Sequence, residues 1–190
     1  VPLITLGTFS LLDASALQSG FFGMGWAIFQ NPLCLPAFII FWIAALAETK
    51  RAPFDLPEGE SEIIGYFVEY SGMKFGMFLL TDFIETVMVA ALATTLFLGG
   101  WQVPYLYPDG FHFPWGSEFL VSNWVYVSLG IGSFSIKVIA FCWVFMQIRW
   151  TLPRFRYDQL MSLGWKGLFP LAILNIIVTA FCVLRFTGDA

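Results

Sequence analysis

Five carboxylates, Glu48, Asp55, Glu58, Glu60 and Glu62, fall within fifteen positions, and the basic pair Lys50 and Arg51 sits among them. Long apolar segments flank this run on both sides. A plain linker between apolar segments does not need so much charge. A surface that handles charge or docks a partner does. Three more ionisable residues stand inside apolar segments: Asp82 and Glu85, three apart and so on one helix face, and Lys137. Ionised groups in hydrocarbon are costly, face polar interiors and mark ion or proton paths. Two neighbouring carboxylates oppose each other's ionisation, and a nearby ammonium favours one anion. The functional reading is a proton-exchanging or charge-coupling cluster, with Lys137 packed toward Glu85. The structural reading is an ion pair that joins two helices.

Composition says what must position these groups. The chain is 58% hydrophobic and 12% charged, with 22 Phe and 8 Trp in 190 residues. Soluble domains carry about 25% charged residues, so there is too little charge here to clothe a soluble surface. A membrane protein is expected rather than a buried subunit of a soluble assembly. Net charge is -4, which gives no reason to invoke nucleic acid. Cys34, Cys142 and Cys182 lie far apart in apolar segments and read as buried thiols. With no CxxC and a single histidine, His112, which reads as loop polarity, a self-contained redox centre or metal site is not expected. The chain opens on Val-Pro inside an apolar run and reads as a fragment of a longer protein.

Four spans are predicted: Pro32 to Ala47, with a start nearer Phe22 left open, Phe75 to Leu98, Phe119 to Ile148 and Leu168 to Leu184. At 1.5 Å per residue the second reaches about 36 Å, enough to cross a hydrocarbon core of about 30 Å. The third is longer, with Gly130 and Gly132 as candidate flex points. Val1 to Leu12 reads as the end of an earlier span and Asp13 to Phe22 as an exposed or interfacial stretch. The fold class is thus all-α: one polytopic transmembrane domain over 1–190 with at least four spans and amphipathic loop elements.

Basic residues set the sidedness. The acidic loop, 48–74, holds Lys50, Arg51 and Lys74. The basic loop, 149–167, holds Arg149, Arg154, Arg156 and Lys166. The loop between the second and third spans, Gly99 to Glu118, holds neither Lys nor Arg. The positive-inside rule puts both basic-containing loops in the cytoplasm and the C-terminus outside. Trp101, Tyr105, Tyr107, Trp115 and Trp124 fit an aromatic belt on the outer side. Glycine and proline there argue against a helix through Tyr105 to Gly116. In the acidic loop, Asp55 and Glu58 have capping-box spacing for a short helix from Leu56 toward Tyr70, stiffened at its entry by Pro53 and Pro57. The element Arg149 to Leu160 mixes bases with aromatics. It suits anionic lipid heads, a grip on the acidic loop, or a seat for a soluble partner.

Four ordered segments carry a family resemblance: AETKRAPFDLPEGESE, EYSGMKFGMFLL, ATTLFLGGW and RWTLPRFRYDQLMSLGWK. Together they resemble the quinone-binding membrane subunit of respiratory complex I, NADH:quinone oxidoreductase, over roughly Leu11 to Ala180, with this chain as its C-terminal half. The resemblance implies a place at the junction of membrane and peripheral arms. The chain would wall part of a quinone chamber and couple quinone reduction to proton translocation through buried charges. Quinone is then the substrate, and flavin mononucleotide and iron–sulfur clusters sit in partner subunits. The implied partners are the peripheral-arm quinone-site subunits, small membrane-arm subunits and lipid. The implied location is a bacterial inner membrane. By motif, Glu48, Arg51, Phe54, Asp55, Glu58, Glu60 and Glu62 match the chamber and coupling region, and Asp82 and Glu85 the next helix. Arg154, Arg156, Tyr157 and Asp158 match a basic loop at the partner interface. The alternatives are the homologous component of a membrane-bound hydrogenase and a structural anchor that moves no protons.

Overall fold

A computed structural model describes residues 1–19, 25–50, 53–55, 70–107, 110–112, 118–119 and 122–187. Three short helices come first: α1 (Pro2–Leu6), α2 (Leu11–Leu17) and α3 (Ala27–Gln30). They lead into α4 (Cys34–Glu48) and then α5 (Met73–Phe97). Three very short strands follow, β1 (Leu106–Tyr107), β2 (Gly110–His112) and β3 (Glu118–Phe119). They pair antiparallel in the order β1-β2-β3, with Leu106 opposite Phe111 and Phe111 opposite Phe119. The long α6 (Asn123–Thr151) comes next, then α7 (Tyr157–Ser162), a π turn (Leu163–Leu168) and α8 (Phe169–Thr187).

The helices are long where the sequence is continuously apolar. Three stretches, Met73–Phe97, Asn123–Thr151 and the run Tyr157–Arg185, are long and apolar enough to cross a membrane; α4 is a shorter apolar helix. The protein is a polytopic, all-α membrane protein in which the small sheet ornaments one loop. Many of the large apolar side chains face outward, among them Met77, Leu80, Met88, Ile139, Ile177 and Phe181. In water such surfaces would be costly; against lipid or neighbouring helices they are the required dress.

The ends of the helices have local causes. Gly99 and Gly100 take positive φ, which stops α5 and lets Gly100 N–H return to the Thr94 carbonyl at 3.0 Å. Pro170 lacks the N–H that an α-helical bond to residue 166 needs, and the chain ahead of it widens into the π turn rather than breaking. Gly130 does not bend α6, which runs unbroken through it. Its missing side chain instead admits the backbone of Trp101, whose carbonyl oxygen would lie 3.6 Å from a Cβ at Gly130.

The core joins α4, α5 and α6 through rings. Trp42 stacks on Phe145 with centroids 4.4 Å apart, and Phe38 meets both Phe97 and Phe141. A buried cluster of Leu46, Phe54 and Phe145 gathers Val89, Ile148, Phe155 and Leu160 around it. This cluster sets the layer just inside the ends of the helices. Leu46 lies two residues before Glu48, Val89 one turn after Glu85, and Phe145 one turn before Arg149. Of the two readings of Asp13 to Phe22, exposed or interfacial, plain exposure does not hold for Ala14, Ser15 and Gln18, which are fully buried.

Candidate functional site

The site is the place where the stem of the acidic loop meets the basic loop. Residues 53–55 follow α4 by one short step, and residues 152–156 join α6 to α7. Three contacts bind them. Phe155 N–H donates to the Pro53 carbonyl at 3.0 Å. Phe54 and Phe155 stack with centroids 5.5 Å apart at 20°. Arg154 Nη2 reaches Asp55 Oδ2 at 3.4 Å, with both side chains partly shielded. Phe54 is buried in the core cluster, so the stem of the acidic loop is anchored apolar side down and charged side up. Of the three roles the sequence leaves open for the basic loop, a grip on the acidic loop is the one these contacts make. Asp55 Oδ1 is buried and has no hydrogen-bond partner among the described residues.

Beside this clamp lies a cleft of about 410 Å³. Glu48 and Phe54 stand on its wall with Ile43 and Ala47, and Leu163 and Phe169 close the other side. It is an apolar slot with one carboxylate. Glu48 itself is exposed at the last position of α4. Arg156 and Asp158 pair at 3.4 Å on the open surface, where such a pair adds little. Arg156 N–H is held by Gln159 Oε1 at 3.1 Å, which caps α7, and Tyr157 is exposed.

Asp82 and Glu85 are half-buried on α5. Val89 packs against the core cluster, and Glu85, at the midpoint of α5, stands one turn before it. The expected approach of Lys137 to Glu85 is not made. Lys137 donates to the carbonyls of Leu98, Gly100 and Gln102 at 2.8, 3.0 and 2.9 Å. Leu98 is thirteen residues beyond Glu85, about 20 Å along the helix axis, so the two charges belong to different layers. The carbonyls win because the end of α5 offers bare acceptors at the depth where Lys137 sits. Arg51, Glu58, Glu60 and Glu62, and the expected short helix from Leu56, lie outside the described residues.

Sequence reasoning missed Gln18. Its Oε1 accepts from Ala27 N–H and Gly99 N–H, both at 3.0 Å, and its Nε2 donates to the Ala14 and Thr95 carbonyls, both at 3.1 Å. It ties α2, α3 and the end of α5 into one knot. An amide in a short polar stretch gives no signal of this, although its place between apolar Leu17 and Phe21 is a faint one. A group of three or more His, Cys, Asp or Glu with metal-holding geometry does not occur among the described residues.

These features define a class: a polytopic helical membrane protein that clamps two charged loops beside an apolar cleft on one side of the membrane. A family model described as NADH dehydrogenase matches residues 1–180, and the chain belongs to that family. It is 46% identical over 189 residues to the H subunit of NADH-quinone oxidoreductase from Flavobacterium psychrophilum, covering 97% of this chain and 50% of that protein. It is 45% identical over 183 residues to the protein of the same name from Protochlamydia amoebophila, covering 96% of this chain and 47% of the relative. The second of the numbered H subunits of this enzyme in Geobacter sulfurreducens is 44% identical over 186 residues, with 97% and 48% covered. The chain spans about half the length of the curated relatives it matches.

Proposed function

We propose that this chain is the C-terminal half of the quinone-linked membrane subunit of a proton-translocating NADH:quinone oxidoreductase in a bacterial inner membrane. The observation that carries the reading is the clamp. Asp55 with Arg154 and Phe54 with Phe155 hold the stem of the acidic run against the membrane side of the molecule, beside the apolar cleft with Glu48 on its wall. Such a slot suits a quinone: apolar walls take the ring and tail, and polar groups at the mouth address the head group. The family match and the names of the relatives support it.

In this reading electrons arrive from flavin mononucleotide and iron–sulfur clusters held by peripheral-arm subunits, which dock on the two cytoplasmic loops. Quinone reduction consumes protons, and carboxylates near the head group answer that demand. Glu48, the loop carboxylates Glu58, Glu60 and Glu62, and then Asp82 and Glu85 form the proposed route by which the charge change reaches the membrane arm. Small membrane-arm subunits and lipid cover the outward apolar faces.

The test separates this role from that of an anchor. Glu48→Gln and Asp55→Asn keep the shape and remove the charge. Both variants should assemble and oxidise NADH normally with an artificial acceptor, while quinone-linked turnover slows. Loss of the assembled complex in both would instead support an anchor. Purification with a nickel–iron catalytic partner in place of flavin-bearing ones would place the chain with the membrane-bound hydrogenases.

A further inference from the structure

The environment of Lys137 is a built site that the proposed function does not use. Lys137 lies fourteen residues from either end of α6, in the middle of a membrane-spanning helix. Its ammonium has three N–H donors, and all three are engaged by main-chain carbonyls, those of Leu98, Gly100 and Gln102. The indole of Trp26 covers it, with Nζ 4.5 Å from the ring centroid. Among the described residues no carboxylate pairs with it. The charge is met by dipoles: the carbonyl end of α5, where a helix carries partial negative charge, and the negative face of an aromatic ring.

The cage is shaped independently of the lysine. Gly99 and Gly100, both at positive φ, turn the chain so that carbonyls 98, 100 and 102 converge. The amides of the same segment are already tied off. Gly99 N–H goes to Gln18, Gly100 N–H to the Thr94 carbonyl and Gln102 N–H to the Gly99 carbonyl. Gln18 also holds Ala27 N–H, which fixes Trp26 beside it. A Cβ at Gly99 would stand 2.8 Å from the indole, so the ring and the turn are in close contact. Three carbonyl oxygens and a ring face, aimed at one point in an apolar surround, select a small monovalent cation with N–H groups to give.

We propose that this cage is a binding site for a primary ammonium ion, occupied by the tethered ammonium of Lys137, which is thereby the positioning residue that pins the end of α5 against the middle of α6. The site recognises the charge and its three donors rather than the chain that delivers them. The proposal does not depend on the quinone reading.

Lys137→Ala deletes the equivalent of n-propylammonium, and that ion is the probe. In the full-length protein within its complex, Lys137→Ala should shorten the half-life against thermal unfolding about tenfold or more, because three partly buried carbonyls lose their partner. Added n-propylammonium chloride should restore at least half of that loss in a saturable way. n-Propanol, of the same shape without the charge, and choline chloride, of the same charge without N–H donors, should not. Failure of n-propylammonium, or equal restoration by either control, overturns the proposal. If Lys137→Ala does not accumulate, the yields of Lys137→Arg and Lys137→Met decide. Accumulation of the arginine variant alone supports a cation site; equal yields, high or low, overturn it.

Discussion

Truncating Phe54 should test the clamp most sharply. Its ring is 5% exposed and touches two partners at once, the Leu46–Phe145 cluster below and the face of Phe155 beside it. Phe54→Ala removes a buried aromatic ring from a packed site, a loss of about 3–5 kcal/mol where the surroundings cannot collapse. Phe155 is only half-buried, so Phe155→Ala should lose less. The stacked geometry adds a pair term of about 0.5–1.5 kcal/mol, which appears as non-additivity in the double variant. The Asp55–Arg154 pair adds little beside this, about 1 kcal/mol or less, because both members keep some solvent. The assay is a double-variant cycle on thermal unfolding of the assembled complex, with wild type, two singles and the double measured in parallel. Quinone-linked turnover is recorded on the same samples. We expect Phe54→Ala to be the more harmful single change, Phe54→Leu to recover part of the loss, and turnover to fall with stability. Wild-type stability in Phe54→Ala, or strict additivity of the two singles, would refute the clamp.

Other outcomes follow from the knot at the far end of α5. Gln18→Leu should strand the N–H groups of Ala27 and Gly99 and lose about 2–6 kcal/mol; wild-type thermal stability of this variant would contradict this. Gly99→Ala should destabilise by about 1–3 kcal/mol, because it places a Cβ at positive φ against Trp26, whereas Gly132→Ala meets open space within α6 and should be neutral or slightly stabilising, as parallel melts of the two variants would show.

The spans are readable because continuous apolar runs report helices directly: α5 and α6 begin and end within a few residues of the predicted bounds. The partner of Lys137 is not readable. A lysine in a span invites a search for a carboxylate, and Glu85 is a conspicuous candidate, but carbonyls carry no residue identity and a string of letters does not show them. Gln18 escapes for the opposite reason, since a polar residue beside a loop reads as exposed until its neighbours arrive from residues 95 and 99. The glycines of α6 look alike in sequence. Only the position of Trp101 distinguishes Gly130, a packing site, from Gly132, which faces open space. The meeting of the acidic and basic loops rests on contacts between residues about a hundred apart, and a grip between them is one of three roles that residue types alone leave open. The acidic residues Glu58, Glu60 and Glu62 fall outside the described residues, and their part in the proposed route rests on the family resemblance.

The central claim is that the cleft between α4, the clamp and α8 receives a quinone. Photoaffinity labelling of the assembled complex with a quinone that carries its reactive group on the ring tests it most directly. We predict that label is incorporated into peptides carrying Glu48, Phe54 or Phe169 and is displaced by excess unlabelled quinone. Label confined to partner proteins, or to the outward face of α8 around Ile177 and Phe181, would contradict the claim.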